Sequence, residues 1–253
     1  MEIVEQSEAF AENPQTNDFE FSHTKIILKN NDRYYYATTK GRLGPKTTVD
    51  LQALDAVPIP PSHIWPQFPL HFTQAPIGLP EHDGSYTKRP NLLTYGDSPD
   101  TTEVRSILLE EAEKCEILRK HPHPNIAKYF GCVVHDGRIT GLCFLKYEMS
   151  LLQRLKDPRS FDAKRCMKQI EAGVQHLHNL DLVHCDINPY NVMMDDGDTP
   201  VIIDFDSCRR KGDKLGMKAG TMGWTNEDFE LARPENDFYG IEKIREFIDS
   251  GKY

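Results

Sequence analysis

The chain has no Cys-x-x-Cys pair, which removes the commonest signature of structural zinc or thiol exchange. Cys115, Cys132, Cys143, Cys166, Cys185 and Cys208 are instead scattered, mostly among apolar neighbours, as reduced structural cysteines are. No apolar run approaches the roughly 20 residues that cross a bilayer. The opening Met1-Glu2-Ile3-Val4-Glu5 also lacks the basic and then apolar start of a secretory signal. These absences predict a soluble intracellular protein, cytoplasmic or nuclear, with no membrane partner. Positive charge is scarce as well: 30 Lys and Arg face 39 Asp and Glu, a formal net charge of -9. The only local basic cluster is Arg209-Arg210-Lys211, so no nucleic-acid partner is expected. With 253 residues, 38% of them hydrophobic, the chain can fill the core of one two-lobed domain or of two small ones.

The texture changes along the chain. Residues 1–20 are acidic and polar with little periodicity, which predicts a disordered arm. Residues 21–85 form a divergent segment with strand-like pieces at 25–29 and 34–36, broken by turn residues. From Val57 to Pro90 proline recurs so often that regular helix is excluded. After Pro99, Thr101-Thr102-Glu103 can open a helix to about Lys120, with Leu108, Glu111, Cys115 and Leu118 on one stripe. Asp136-Gly137 between two apolar runs predicts a tight antiparallel hairpin. Helices are expected at 151–155 and 161–180, then two short strands at 192–194 and 201–203 around the turn 195–198.

Those strands frame the chemistry. In His184-Cys185-Asp186-Ile187-Asn188-Pro189-Tyr190-Asn191 a carboxylate is followed five residues later by an amide. The run Val201-Ile202-Ile203 then ends in Asp204-Phe205-Asp206. One carboxylate to orient a hydroxyl, with an amide and a second carboxylate to hold metal, is what Mg-ATP phosphoryl transfer asks of a protein. The two strands would bring Asn191 and Asp204 to adjacent strand ends.

From about Tyr86 to Phe247 the chain resembles a eukaryotic-type protein kinase domain, and within that family a small, divergent fungal-type member. The resemblance rests on His123-Pro124-Asn125-Ile126, on Val174 through Asn191, on Asp204-Phe205-Asp206, on Gly220 through Glu227 and on Asp237, in that order. It implies an α+β, two-lobed fold with a small antiparallel-sheet N-lobe at 86–147 and a shortened helical C-lobe at 148–253. It implies Asp186, Lys88 and Thr221 as catalytic residues and Asn191 and Asp204 as metal ligands. Glu111 would pair with Lys88, and Leu145, Lys146 and Tyr147 would form the hinge beside adenine. Asp237 would brace the loop at 184–191. The implied cofactors are ATP and Mg, and the implied activity is transfer of the ATP γ-phosphate to a protein serine or threonine.

The departures from that pattern point elsewhere. Cys185 stands where the family commonly has arginine, Asn188 where it has lysine, and Asp206 where the metal motif has glycine. The loss of a cation at 188 predicts slow or altered chemistry. No Gly-x-Gly-x-x-Gly loop precedes Lys88; Gly41-Arg42-Leu43-Gly44 is the nearest match. The chain stops soon after Asp237, so the later helices of a full C-lobe are expected to be missing. Taken singly, Lys88 reads as a solvated lysine, Glu111 as part of an acidic helix face, and Asp206 and Cys208 as local structure. His176 and His178, two apart on a helix, read as packed residues rather than metal ligands. Three function classes follow: a protein serine/threonine kinase, a pseudokinase that binds nucleotide or a partner, and a small-molecule kinase of the aminoglycoside or choline type.

Overall fold

The computed structural model describes residues 1–13, 16, 18–31, 33–44, 50–51, 53–97, 100–216 and 220–251. Residues 1–68, 89–109 and 136–140 form one compact unit, and residues 69–88, 110–135 and 141–253 a second. This interleaved grouping differs from the expected division at residues 20, 85 and 147.

The first unit is built on an antiparallel sheet in the order β1 (Glu2–Glu12), β2 (Phe19–Asn30), β3 (Arg33–Thr39) and β4 (Val57–Ile59). β2 is covered on both faces, which is why Ile26-Ile27-Leu28 is a continuous apolar run rather than an alternating one. Ile27 packs with Ile59, Ile64, Leu92 and Tyr95, whereas Ile26 and Leu28 pack with Ala37 on the other face. The expected disordered arm is instead β1, paired with β2 from Glu2↔Lys29 to Glu12↔Phe19. Its side chains are mostly exposed, so main-chain hydrogen bonds, not a buried face, hold it. Two register shifts and repeated glutamates mark it as an edge strand. The proline-rich stretch also holds one helical turn, α1 (Pro61–Ile64). Pro61 sits at its first turn, where a missing N–H is harmless.

The second unit carries the sheet β5 (Ser85–Lys88), β7 (Arg138–Leu145) and β6 (Tyr129–His135), in that order. Helix α2 (Glu103–Lys120) buries Glu111, Ala112, Cys115 and Leu118, matching the predicted stripe. The hairpin of β6 (Tyr129–His135) and β7 (Arg138–Leu145) turns at Asp136 and Gly137, with φ of 48° and 70°. Positive φ at both central residues is the geometry the Asp-Gly pair favours. β8 (Met149–Ser150) leads into α3 (Leu151–Lys156), which begins with a capping box of Ser150 and Gln153. α4 (Ala163–Asn179) is capped by Asp162 and buries Cys166, Ile170, Val174 and Leu177. β9 (Leu182–Val183) follows, then β10 (Val192–Met194) and β11 (Pro200–Ile202), paired Val192↔Ile202. β12 (Arg209–Arg210) returns to β9, and α5 (Pro234–Ser250) closes the described fold.

All six cysteines are free and buried. Burial pushes the thiols of Cys166 and Cys208 up to about 12, so they stay protonated packing groups. No described helix is long and apolar enough to cross a membrane.

Gly240 of α5 rests on the 184–191 loop so closely that a Cβ there would lie 2.9 Å from the Ile187 Cβ and nearer still to its carbonyl oxygen. Alanine normally favours a helix over glycine by about 1 kcal/mol. At this site Gly240→Ala is expected to destabilise by about 1–3 kcal/mol, because the overlap is with main chain. Urea unfolding checks this; unchanged or higher stability would mean that the loop does not depend on α5.

Candidate functional site

Asp237 in the first turn of α5 anchors the site. Fully buried, it accepts the His184 N–H at 3.0 Å on Oδ2 and the Cys185 N–H at 2.8 Å on Oδ1. His178 Nε2, from α4, lies 2.8 Å from the same carboxylate. These contacts hold Cys185 at φ +65°, left-handed backbone that a non-glycine residue seldom adopts. The next N–H, of Asp186, donates to His184 Nδ1 at 3.3 Å, so Nε2 carries the proton it gives to Ile203 O at 2.9 Å.

The Asp186 carboxylate that this loop presents is fully surrounded. Oδ1 accepts Asn188 Nδ2 at 2.9 Å and the Thr221 N–H at 2.9 Å. Oδ2 accepts Asn191 Nδ2 at 2.9 Å and the Thr221 hydroxyl at 3.1 Å. Four donors meet the roughly four lone-pair sites of a carboxylate. Asn188 is itself buried and its Oδ1 accepts the N–H groups of Tyr190 and Asn191, so it ties the loop together from within. In place of a lysine cation, the residue at 188 supplies a neutral donor.

A second cluster gathers around Lys88 at the end of β5. Its Nζ donates to Glu111 Oε1 at 2.7 Å and to Asp204 Oδ1, and lies 3.5 Å from Asp206 Oδ2. Glu111, only 2% exposed, also accepts the Phe205 N–H at 3.1 Å, which joins α2 to the segment after β11. Burial works against the Lys88 charge, yet the carboxylates of Glu111, Asp204 and Asp206 outweigh it and hold the ammonium well above the usual lysine range. Burial pushes Glu111 up, and Lys88 pulls it back. The main chain links the two clusters: the Ile203 N–H, one residue before Asp204, donates to Asn191 O at 3.0 Å.

Next to Lys88 lies a cavity of about 270 Å³ whose walls include Tyr86, Phe144, Leu145, Tyr147, Met193 and Asp204. Of the three expected hinge residues, Leu145 and Tyr147 line it. Lys146 does not, and its Nζ sits 3.0 Å from Glu148. The N–H groups of Leu145 and Lys146 are taken by Lys128 O and Gly84 O. Among the described residues nothing takes the N–H of Tyr147.

The structure thus brings Lys88, Glu111 and Asp204 together, and Asp186, Asn191 and Thr221 together. Two participants were read from sequence as local or packed residues: Asp206, near Lys88, and His178, on Asp237; Asn188, read as the loss of a cation, is a neutral donor to Asp186. Asn188 and His178 carry no periodicity that signals such a contact. Tyr86 and Phe144 were passed over as well. Tyr86 had a usable signal, since two residues before Lys88 on a strand is the same face. The candidate glycine loop Gly41–Gly44 belongs to the other unit.

The profile of the protein kinase domain family matches residues 99–227, just over half of the chain, and the chain belongs to that family. The fold is accordingly the mixed α+β fold of a protein kinase domain, with an antiparallel-sheet part and a helical part. Among curated proteins it is similar to the serine/threonine-protein kinase/endoribonuclease IRE1 of Hypocrea jecorina, 29% identical over 122 residues, 40% of this chain and 10% of that one. It is similar to sperm motility kinase 2B of Mus musculus, 25% identical over 146 residues, 54% of this chain and 30% of that one. It is also similar to the serine/threonine-protein kinase SSK22 of Saccharomyces cerevisiae, 29% identical over 115 residues, 44% of this chain and 8% of that one. Each alignment covers less than a third of the relative's length.

Lys88→Met tests the electrostatics of the second cluster. Without the ammonium, buried Glu111 holds a proton more tightly in the folded than in the unfolded chain. The folded state then binds more protons above the ordinary value of 4.5, and stability falls as pH rises. The expected outcome is a stability gap from wild type that widens between about pH 5 and pH 8 in urea unfolding. A gap independent of pH would show that Lys88 does not hold the Glu111 charge.

Proposed function

We propose that the chain is a phosphotransferase that moves the γ-phosphate of ATP to a serine or threonine hydroxyl of a protein. The observation that carries this reading is Lys88 held between buried Glu111 and Asp204, with the Ile203 N–H just before Asp204 bonded to Asn191 O in the loop of Asp186. In it, Asp186 orients the acceptor hydroxyl and takes up its proton, while Thr221 lines the site beside that hydroxyl. Lys88 fixes phosphate oxygens, and Glu111 keeps the lysine aimed into the cavity. Leu145 and Tyr147 border the base, with the free N–H of Tyr147 available to its edge. Such a site works by positioning and charge rather than by covalent chemistry.

Asp204 and Asn191 are the residues that would hold Mg2+. Their oxygen donors suit a small hard cation. Among the described residues no group of three or more His, Cys, Asp and Glu side chains could hold a metal ion by itself. That fits a cation whose shell is completed by substrate phosphates, as is usual for Mg2+. When bound, Mg2+ neutralises charge on the phosphates.

A second reading, a kinase-shaped module that binds nucleotide or a partner without turnover, is favoured by one specific feature. Both Asp186 oxygens are already saturated, and Asn188 brings no charge to the site. Asp186→Ala separates the two readings. The phosphotransferase reading expects loss of [γ-32P]ATP transfer to a serine/threonine peptide library, with retained fold and nucleotide binding. No transfer by pure wild type would leave the binding module.

Nucleotide binding itself is checked by thermal shift with ATP, with and without Mg2+. A ligand at a hundredfold excess over its Kd stabilises the folded state by about 2.7 kcal/mol. Metal-dependent stabilisation is expected in wild type and its loss in Asp204→Asn. Equal stabilisation in the variant would remove Asp204 from the metal site.

A further inference from the structure

We propose that the outer edge of β1, from Glu5 to Glu12, accepts an extended segment of a partner protein as an added antiparallel strand. The segment has an apolar residue opposite Phe10 and a lysine or arginine two positions to either side of it. This edge belongs to the first unit and is independent of the phosphotransferase reading.

β1 is the last strand of its sheet and pairs with β2 alone. Among the described residues its outward main-chain N–H and C=O groups meet no partner. A row of such groups is a template for another strand, and strand addition draws its affinity from them. Natural edges are commonly closed by lysine, by proline or by a bulge. Glu2–Glu12 contains no lysine, arginine or proline. Of the two register shifts, the first inserts Val4 into β1, but the second skips Ser22 and so lies in β2. From Glu5 to Glu12 the edge is therefore uninterrupted, longer than a typical strand of about 5–6 residues.

The side chains along this edge specify the occupant. Glu8, Phe10 and Glu12 alternate onto one face. Arg42 reports that face: it lies 3.4 Å from Glu8, and its guanidinium stands 5.7 Å from the Phe10 ring centroid and 4.7 Å from that of Phe21. Phe21, directly opposite on β2, meets Phe10 edge to face at 6.3 Å, yet Phe10 remains half exposed. A residue opposite Phe10 on an added strand would bring its Cβ to about 4.5–5.5 Å, so an apolar side chain there buries the open ring. The residues two positions to either side would face Glu8 and Glu12, and opposite charges across a strand pair attract. Glu8 already shares its charge with Arg42, whereas exposed Glu12 has no ion pair among the described residues. A second copy of the chain fits poorly. β1 paired with itself about Ser7 sets Glu2 against Glu12 at both ends, and like charges directly opposite are destabilising.

The test uses the full chain and a fluorescent peptide, Thr-Thr-Lys-Thr-Val-Thr-Lys-Thr-Thr, at low ionic strength. Fluorescence anisotropy reads the affinity, and amide hydrogen exchange reads the place. The expected result is binding to wild type with new protection within Glu2–Glu12. Affinity should fall about fivefold in Glu12→Lys, which turns one attraction into a repulsion. The peptide with glutamates for its lysines should not bind, nor should one methylated at every main-chain nitrogen between them. No binding to wild type would overturn the proposal. So would protection only outside β1, undiminished binding in Glu12→Lys, or equal binding of either control peptide, which would mean attraction without strand addition. A wild type that sediments as a dimer with β1 amides protected before any peptide is added would give the edge to a second copy and overturn it as well.

Discussion

One buried carboxylate organises the part of this protein that could react. Asp237 accepts two consecutive backbone N–H groups and meets a histidine from another helix. The geometry of the loop makes it necessary. With Cys185 at φ +65°, the chain cannot continue β9, and its N–H groups would be buried without partners. An acceptor at the start of α5 supplies those partners, and the positive end of the helix dipole favours an anion there. Gly240, on the same helix, lets the loop approach closely enough for this to happen. The direction in which Asp186 points is therefore set by a residue far away in sequence.

The Lys88 cluster is governed by an imbalance of charge. Three carboxylates stand around one ammonium, so the group is anionic when all are ionised. Burial and repulsion from Asp204 and Asp206 raise Glu111, and Lys88 opposes them. Asp206 sharpens the imbalance: where glycine would leave space, this chain puts another negative group within 3.5 Å of Nζ. A cluster with surplus negative charge favours added cations, and those nearest its exposed side bind most easily. Asp204, with a third of its side chain exposed, has that position, and Glu111 does not.

Local chemistry made much of this legible in advance. Asp136-Gly137 demanded a tight hairpin and formed one, and the spacing of Leu108, Glu111, Cys115 and Leu118 put a glutamate on a buried stripe. The strands expected at 192–194 and 201–203 formed an antiparallel pair, the second one residue earlier, at 200–202. What stayed hidden depended on contacts between distant residues. β1 has no alternating pattern because it is held by main-chain bonds to β2, and main-chain bonding leaves almost no trace in side-chain identity. His178 is a polar residue with unremarkable neighbours and Asn188 stood out only as a missing cation, and only the fold reveals Asp237 and Asp186 bonded to them. Periodicity reports which face is buried, not which single polar atom meets another.

The saturation of Asp186 bears on how such a site could turn over. A substrate hydroxyl can reach the carboxylate only by displacing one of four donors, and they are not equally held. Asn188 and Asn191 are buried within the loop, and their own backbone and side-chain bonds would break with them. Thr221 is exposed, on a segment whose turn is made by Gly220 and Gly223 at φ +94° and +82°. Its two bonds to a charged acceptor are each worth about 1.5–3 kcal/mol. An arriving hydroxyl restores one, so the exchange is opposed by roughly a single such bond. Opening at Thr221 is then the least costly route to Asp186, and Gly220 is what allows the closed form. A Cβ there would overlap Thr225 and stand 2.8 Å from Cys185 O.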